Sequence, residues 1–300
     1  MNISRGNTIL RTVLFTSMAL IAFAANSVLC RLALGSGAID AASFTSIRLF
    51  SGALTLLSIL VLRREKSLLP TRGSWISSLM LFLYAITFSY AYITLDTGTG
   101  ALILFGAVQI TMILISVFSG NRLHLSEWVG MALAFGGFVY LVLPGVSTPS
   151  PLGFSLMMVS GIAWGVYTLR GRGSESPLVD TAHNFLRTIP LVAVLALVAL
   201  YKAQYSTEGL LYAALSGSLA SGVGYSIWYA ALRGLSATQA AVIQLLVPVI
   251  AAVGGILFVS EVITSRLAIS ALMILGGILF VVIGRYIFID RPANQVKIQQ

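Results

Sequence analysis

The stretch SWISSLMLFLYAITFSYAYITLDTGTGALILFGAVQITMILISVFS, residues 74–119, decides the fold class of this chain. It contains two apolar runs, 74–95 and 99–119, which are separated by only a few residues around Asp96. Each run has the roughly 20 residues that a helix needs to cross a hydrocarbon core about 30 Å thick. Because the link is so short, the two helices must lie antiparallel. The stretch therefore predicts a pair of transmembrane helices joined by a tight turn.

The composition of the 300-residue chain extends this prediction to the whole protein. Hydrophobic residues make up 58% and charged residues 9%, and the mean hydropathy is +0.96. Soluble domains carry roughly 25% charged residues, so this chain has too little charge to cover a water-facing surface. A single cysteine, Cys30, excludes an intrachain disulfide framework and a Cys-based metal cluster. We predict an all-α integral membrane protein.

Ten apolar stretches are long enough to span a bilayer. They lie at about 8–29, 41–62, 74–95, 99–119, 124–143, 152–170, 180–201, 208–232, 236–259 and 266–288. The first stretch contains Ala22-Phe23-Ala24, which is also typical of a signal-peptidase site. We interpret it as a true span, because the repeat described next needs it as a partner for the sixth stretch.

The two halves of the chain resemble each other at an offset of about 140 residues. The matches are IAFA at 21–24 with IAWG at 162–165, Asp40 with Asp180, Arg48 with Arg187, YITL at 92–95 with YAAL at 229–232, and GGF at 136–138 with GGI at 276–278. Since five helices per half is an odd number, the second half must enter the membrane from the opposite side. We predict two inverted five-helix repeats, 8–143 and 152–288, around a central cavity, followed by a cytoplasmic tail at 289–300. Such repeats are typical of alternating-access transporters, and a duplicated scaffold without transport remains the alternative.

The positions of Lys and Arg predict the orientation in the membrane. Fourteen of these residues fall on one side of the predicted spans and four on the other, namely Arg31, Arg48, Lys202 and Arg266. The richer side, which carries both termini, is therefore expected to be cytoplasmic. The net charge of +9 is divided among short loops and forms no stripe, so we expect the bilayer as partner and no nucleic acid. The sequence leaves the oligomeric state open, and a monomer fits it.

Taken together, the ten spans and the repeat resemble the drug/metabolite transporter superfamily, specifically its EamA-type exporters. Residues 95–102, LDTGTGAL, continuing to Gln109, are similar to the YddG-like branch of aromatic amino-acid exporters. The resemblance implies a basket of helices with the fifth and tenth outside it, and export of amino acids or other small metabolites across a bacterial inner membrane. Where the family carries Gly-Glu-Arg, this chain has Gly120-Asn121-Arg122 and Ser260-Glu261-Val262.

Two short motifs are typical of proteases but lack the partners that such catalysis requires. Asp96-Thr97-Gly98 occurs once, whereas aspartic proteases need two facing carboxylates; we expect Asp96 to cap the fourth helix instead. Ser226 would need a general base, and the two histidines, His124 and His183, fall near predicted cytoplasmic helix ends. We therefore predict no enzyme, no metal and no organic cofactor.

Neutral polar and aromatic residues near the middle of the spans are the candidate substrate ligands. They are Asn26, Tyr84, Gln109, Trp164, Ser221, Tyr225 and Gln244. An amide within hydrocarbon needs partners, so these amides should face the interior, where each either binds substrate or bonds another helix. Tyr84, Phe88 and Tyr92 recur on one helical face. Such a stripe serves either packing or an aromatic pocket.

Three further residues are candidates for gating or bracing. Arg48 and Arg187 lie roughly 10 Å inside their predicted helices, where each either bonds backbone carbonyls or attracts a substrate carboxylate. Pro248, with Gly254 and Gly255, predicts a bend in the ninth helix. In the eighth helix, the small residues at 214, 218, 222 and 226 predict a close helix contact.

The acidic residues bear on the mechanism of energy coupling. No Asp or Glu lies at the predicted mid-membrane level, which disfavours coupling through an intramembrane carboxylate. The sequence thus predicts a facilitative exporter of amino acids, with aromatic and other apolar ones favoured. One alternative is a proton-coupled exporter of drugs or lipophilic cations, which would need a deep anionic site. The other is a nucleotide-sugar carrier, which would need several basic residues lining the cavity.

Overall fold

A computed structural model of the protein describes residues 2–63, 73–120, 124–145, 148–171, 174–235 and 237–285. Over these ranges the structure consists of helices and loops, with a single isolated bridge between Ile39 and Tyr205. The ten helices are α1 (Asn2–Gly35), α2 (Ala41–Leu62), α3 (Trp75–Ala91), α4 (Thr97–Phe118), α5 (Leu125–Val142), α6 (Pro151–Gly171), α7 (Pro177–Ala199), α8 (Thr207–Leu232), α9 (Ala237–Gln244 continuing as Val247–Val259) and α10 (Ser265–Arg285).

The lengths and compositions of these helices fit a bilayer. Within the described residues, nine helices are long and apolar enough to span a membrane, and the tenth, α3, is apolar but has 17 residues. It is shorter than predicted because the chain leaves helical geometry at Tyr92 and turns before Asp96. The prediction of an all-α, multi-pass membrane protein is confirmed. The predicted tail at 289–300 lies outside the described residues.

The packing of the helices follows the repeat. α3 and α4 pack on α6, while their counterparts α8 and α9 pack on α1; α2 packs on α7, α4 on α9 and α5 on α10. Exchanging the two halves maps this set of contacts onto itself, as inverted repeats require. α5 and α10 pack mainly on each other and lie outside the basket formed by the other helices. That is the arrangement implied by the family resemblance.

α8 departs from regular helical geometry in its middle. Residues Ser216–Val223 form a π-helical segment, whose wider turns break a spacing of four residues. The predicted stripe at 214, 218, 222 and 226 is therefore kept only in part: Gly222 lies against Thr55 of α2, and the Ala214 carbonyl accepts a hydrogen bond from Ser51 of α2. The buried small residues of this segment are Ser216, Gly217, Ala220, Ser221 and Gly222. The close contact itself exists, because a Cβ on Gly217 would collide with the backbone oxygen of Arg48 on α2.

α9 is interrupted where the sequence contains proline. Its first segment ends at Gln244, and Pro248 lies in the first turn of the second segment, which begins at Val247. Proline donates no backbone hydrogen bond to the preceding turn, so the helix breaks before it, as predicted. At Gly254 and Gly255 the hydrogen-bonded helix continues without a break, and a bend there stays a prediction.

Candidate functional site

A cavity of about 570 Å³ lies between the two halves of the protein and is lined from helices α1, α3, α4 and α6 to α9. It runs from the buried rings of Tyr84 and Tyr225 to Arg170 and Gly171, which are exposed at the end of α6. Its outer lining also includes Gly73, before α3. We call this side of the protein, with the α2–α3, α6–α7 and α8–α9 loops, the open face. The volume is typical of a pocket for a small metabolite.

An aromatic cluster forms the inner end of the cavity. The Trp164 ring stacks on Tyr167 and Tyr225, with centroid distances of 5.1 and 5.4 Å and interplanar angles of 22° and 21°. The Tyr84 ring is tilted against it at 4.8 Å. Trp164 itself is only partly buried, because one side of it borders the cavity. The cluster presents a wide aromatic surface for the apolar part of a ligand.

The structure brings together most of the predicted substrate ligands. Those that line the cavity are Asn26, Tyr84, Trp164, Ser221, Tyr225 and Gln244. Gln109 is buried in α4 outside this lining, and its side-chain nitrogen has no hydrogen-bond partner. The roles of these residues as ligands stay predictions.

Tyr84 joins four other helices at the inner end of the cavity. Its hydroxyl accepts hydrogen bonds from Arg48 Nη2 at 2.8 Å and from Asn26 Nδ2 at 3.4 Å. The Asn26 amide is fixed in turn, because its oxygen accepts from Ser216 Oγ at 2.6 Å. The backbone oxygen of Tyr84 accepts from Ser160 Oγ at 3.0 Å. The Tyr84 hydroxyl is therefore held from α1 and α2 and its backbone from α6, while α8 acts only through Asn26.

The two arginines that the sequence paired have different environments. Arg48 is 2% exposed, with its guanidinium 5.1 Å from the Tyr84 ring centroid and 4.8 Å from that of Phe88. Its Nη1 has no hydrogen-bond partner. Arg187 is only half-buried and lies 6.0 Å from the ring centroid of Trp75, near the open face. The repeat thus conserves their places in the chain but not their surroundings.

A second polar group lies nearer the mouth of the cavity, and the sequence analysis did not select it. Thr181 Oγ1 is 2.7 Å from the hydroxyl of Tyr229 and accepts a 3.4 Å hydrogen bond from Tyr167. One residue before it, Asp180 accepts a 2.5 Å hydrogen bond from Ser174 Oγ. Asp180 and Tyr229 had appeared only as markers of the repeat. The sequence feature that could have indicated them is their position near the ends of α7 and α8, where both line the cavity.

The opposite side, which we call the closed face, is sealed by charged contacts between the two halves. Glu261, in the α9–α10 loop, accepts hydrogen bonds from the backbone nitrogen of Thr97 at 2.9 and 3.0 Å and from its hydroxyl at 3.0 Å. Arg31 Nε donates to the same carboxylate at 3.2 Å, and Arg31 Nη2 lies 3.4 Å from Asp96. Gly255 of α9 lies beside the Glu261 carboxylate, and a Cβ at this position would collide with it.

These contacts correct the expectation for Asp96. Its backbone occupies the N-cap position of α4, but its side chain makes no capping hydrogen bond. The cap comes instead from Glu261, which is far away in the chain. Sequence reasoning looks for caps next to the helix and therefore missed this one, together with the role of Arg31.

Backbone pairing closes the same face at a second point. Asp40 N donates to Gln204 O at 2.9 Å, and Ser206 N donates to Ala38 O at 2.7 Å. Burial of the Asp40 carboxyl opposes ionisation, but hydrogen bonds from Ser43 and from the backbone of Gln204 hold the pKa of Asp40 below its ordinary value. The hydrogen bond from Gln204 N to the Asp40 carboxylate therefore contributes fully to the stability of this closure above the ordinary pKa, and this contribution is lost as pH falls through the lowered pKa.

Comparison with known proteins agrees with this architecture. The model of the EamA-like transporter family matches residues 151–283, the whole of α6 to α9 and most of α10. An uncharacterized protein of Pseudomonas aeruginosa is 51% identical over 92% of this chain and 96% of its own length. The chain belongs to the EamA-like transporter family.

Two more distant relatives of this EamA-like transporter have more informative names. An uncharacterized inner membrane transporter of Escherichia coli, YedA, is 23% identical over 84% of this chain and 85% of its own length. A probable amino-acid metabolite efflux pump of Escherichia coli is 23% identical over 68% of this chain and 77% of its own length.

In the described part of this EamA-like transporter, no three His, Cys, Asp or Glu side chains are grouped so that they could hold a metal ion.

Proposed function

We propose that this EamA-like transporter exports amino acids, aromatic and other apolar ones foremost, by alternating access across the bacterial inner membrane. The observation that carries the proposal is the aromatic-lined cavity, which opens to one face and is sealed from the other. The similarity to a relative named as a probable amino-acid metabolite efflux pump supports it. The YddG-like segment at 95–102 supports the preference for aromatic substrates.

The open face is the cytoplasmic one in this proposal. It carries the loops richest in Lys and Arg, which stay inside according to the positive-inside rule. Both termini then lie in the cytoplasm, and the cavity is ready to load substrate for export. The repeats 8–143 and 152–288 exchange conformations around the cavity, so that sealing of the open face accompanies opening of the closed one.

The proposed substrate contacts are the cavity-lining candidates, with Trp164 and Tyr225 binding the apolar side chain and Asn26 and Tyr84 the polar end. Arg48 and Arg187 brace their halves, and Pro248 supplies a hinge in α9. The inner end of the cavity has no lining Asp or Glu among the described residues. Transport is therefore facilitative and follows the substrate gradient.

A specific observation favours a second candidate function. Asp180 lines the outer part of the cavity, and a carboxylate there would attract a lipophilic cation. The second candidate is therefore a proton-coupled exporter of drugs or lipophilic cations.

Uptake into liposomes that contain the purified protein separates the two functions. Labelled phenylalanine, threonine and tetraphenylphosphonium are compared with and without an imposed pH gradient. We expect saturable phenylalanine flux that the gradient leaves unchanged, and at least a tenfold lower flux for Trp164→Ala. Trp128→Ala is the matched control, because that ring lies 53% exposed on α5, away from the cavity. Flux of the cation alone, or flux only with a gradient, would favour the second candidate.

A further inference from the structure

We propose that the cavity recognises its substrate by a carboxylate, which binds the Tyr84 hydroxyl, and that Arg48 is the positioning residue that makes this hydroxyl selective for an anion. The proposal rests on the proposed function only in that the cavity is the transport path. It names a substrate class, small organic carboxylates with an aromatic or apolar group, and excludes lipophilic cations.

The charge of Arg48 has no anionic partner among the described residues. The ionisable groups that interact with its guanidinium are Tyr84, Tyr225 and Cys30, all of types that are mainly neutral at pH 7. A buried cation within a membrane-spanning helix is costly, so it normally has an anionic partner or a functional one. No Asp or Glu of the described chain forms an ion pair with Arg48. A substrate carboxylate would supply the missing negative charge.

The hydrogen bonds at Tyr84 leave its hydroxyl proton available to a ligand. Its oxygen accepts from both Arg48 and Asn26, so the hydroxyl proton is left to bond another acceptor. Tyr84 lines the cavity, whereas Arg48 lies behind it and does not. The Arg48 charge therefore polarises the O–H group of Tyr84, which lines the cavity. A hydrogen-bond donor strengthened by a cation binds charged acceptors best.

Among the described residues, this anchor has no counterpart in the second half of the chain. The alignment that pairs Phe23 with Trp164 also pairs Asn26 with Tyr167, and the one that pairs Tyr92 with Tyr229 pairs Tyr84 with Ser221. The second half thus lacks a copy of this arrangement. With Trp164 4.8 Å from Tyr84, a single ligand can place its carboxylate on the hydroxyl and its apolar group on the indole.

The test compares matched ligands with and without the carboxylate. Isothermal titration of the full-length protein in detergent measures the Kd values of L-phenylalanine, L-phenylalaninamide, 3-phenylpropionate and phenethylamine. We expect the acid to bind about tenfold more tightly than its amide, about 1.4 kcal/mol, and 3-phenylpropionate to bind more tightly than phenethylamine.

Two variants show whether the preference arises at this site. Tyr84→Phe keeps the ring, and we expect it to bring the acid-to-amide ratio close to one. Arg48→Met should do the same, while Arg48→Lys, which keeps the charge, should retain part of the preference. A purely structural role for Arg48 would lower the affinity for acid and amide alike. Thermal stability of each variant verifies folding, and Tyr84→Phe decides the question if Arg48→Met does not fold.

The outcomes separate this inference from the proposed function. Equal binding of acid and amide by the wild type, or a preference that survives in Tyr84→Phe, overturns the carboxylate anchor, even if phenylalanine is transported. Binding and transport of 3-phenylpropionate without phenylalanine keeps the anchor and overturns amino-acid export. Failure of every carboxylate to bind overturns both.

Discussion

Glu261 illustrates, at the scale of a single residue, how one half of the protein completes the other. Its carboxylate caps the first turn of α4 and holds Arg31 of α1, although it belongs to the loop before α10. Helix N-termini carry a partial positive charge and unpaired N–H groups. A carboxylate placed there from the opposite repeat therefore stabilises the closed face and the start of α4 together.

Replacement of Glu261 by Gln should lower the stability of the protein. One oxygen remains to accept from Thr97, but the charge that strengthens both this bond and the contact with Arg31 is lost. We expect a loss of about 1–2 kcal/mol, seen as a lower midpoint of thermal unfolding in detergent. The matched control is Asp96→Asn, because the Asp96 side chain is 60% exposed and only the Arg31 ion pair holds it. We expect it to cost less than about 0.5 kcal/mol. Equal losses in the two variants would mean that Glu261 is not the cap.

At the scale of helices, the irregular parts of the fold lie in α8 and α9, both of which line the cavity. The π-helical segment of α8 lets Gly217 meet the backbone of α2 beside Arg48. The break in α9 separates Gln244, which lines the cavity, from the segment that carries Pro248. π-helical segments are frequent at functional sites, and helices commonly kink at proline. We therefore expect movement between the halves to occur at these two places.

Gly217→Ala should destabilise the protein more than an ordinary glycine substitution. The new Cβ would collide with the backbone oxygen of Arg48 and with Ser51, so α2 and α8 must separate, at a cost of about 1–3 kcal/mol. In the matched variant Gly276→Ala, a Cβ on α10 would meet nothing within 4 Å, and the higher helix propensity of Ala should leave stability equal or slightly raised. The measurement is thermal unfolding of both variants. A neutral Gly217→Ala would disprove the tight contact.

Pro248→Ala should slow transport more than it lowers the yield of folded protein. Alanine permits a continuous helix through Leu245 and Leu246, which stiffens α9 where it now breaks. We expect a several-fold lower rate in liposomes at unchanged yield after size-exclusion chromatography. Pro190→Ala is the control, since that proline is exposed within a continuous part of α7 and should leave transport unchanged. Parallel loss of yield and rate at Pro248 would refute the hinge.

At the scale of the whole molecule, the cavity is accessible from one face while Arg31, Glu261 and the pairing of Ala38 with Ser206 seal the other. Alternating access requires this seal to open during each transport cycle. Because the seal consists of a few hydrogen bonds and ion pairs between loops and helix ends, it can open without unpacking the buried contact between α5 and α10.

A disulfide across the seal should stop transport reversibly. Ile39 and Tyr205 form an isolated antiparallel pair flanked by the hydrogen bonds of Asp40 and Ser206, an arrangement that brings the two Cα atoms to about 4.5 Å and so suits a disulfide. In a Cys30→Ser background, the Ile39→Cys/Tyr205→Cys protein should lose its substrate flux on oxidation and regain it on reduction. The single-cysteine variants serve as controls. Full flux in the cross-linked protein would show that this face does not open.

Membrane location, helix number, the repeat and several residues of the cavity lining could be predicted from the sequence. Each of these features depends on the composition or the spacing of residues along the chain, without reference to how the chain folds. An apolar run such as 99–119 is long enough to span a bilayer wherever it packs, and the match of Phe23 with Trp164 depends only on their separation along the chain. Uncharged polar residues within such runs, such as Asn26 and Gln244, must face other helices, because lipid offers no hydrogen bonds.

What only the tertiary structure decided are the contacts between residues distant in the chain. Glu261 replaces Asp96 as the cap of α4 because two loops from opposite halves lie in contact. No pattern among neighbouring residues predicts this contact. The paired arginines diverge because Arg48 packs among Tyr84 and Phe88, whereas Arg187 lies over Trp75 near the open face. Local hydrophobicity thus determined that the chain enters the membrane and how often it crosses. The packing of its two halves decided which face is open and which side chains meet in the cavity, because those contacts depend on the whole chain at once.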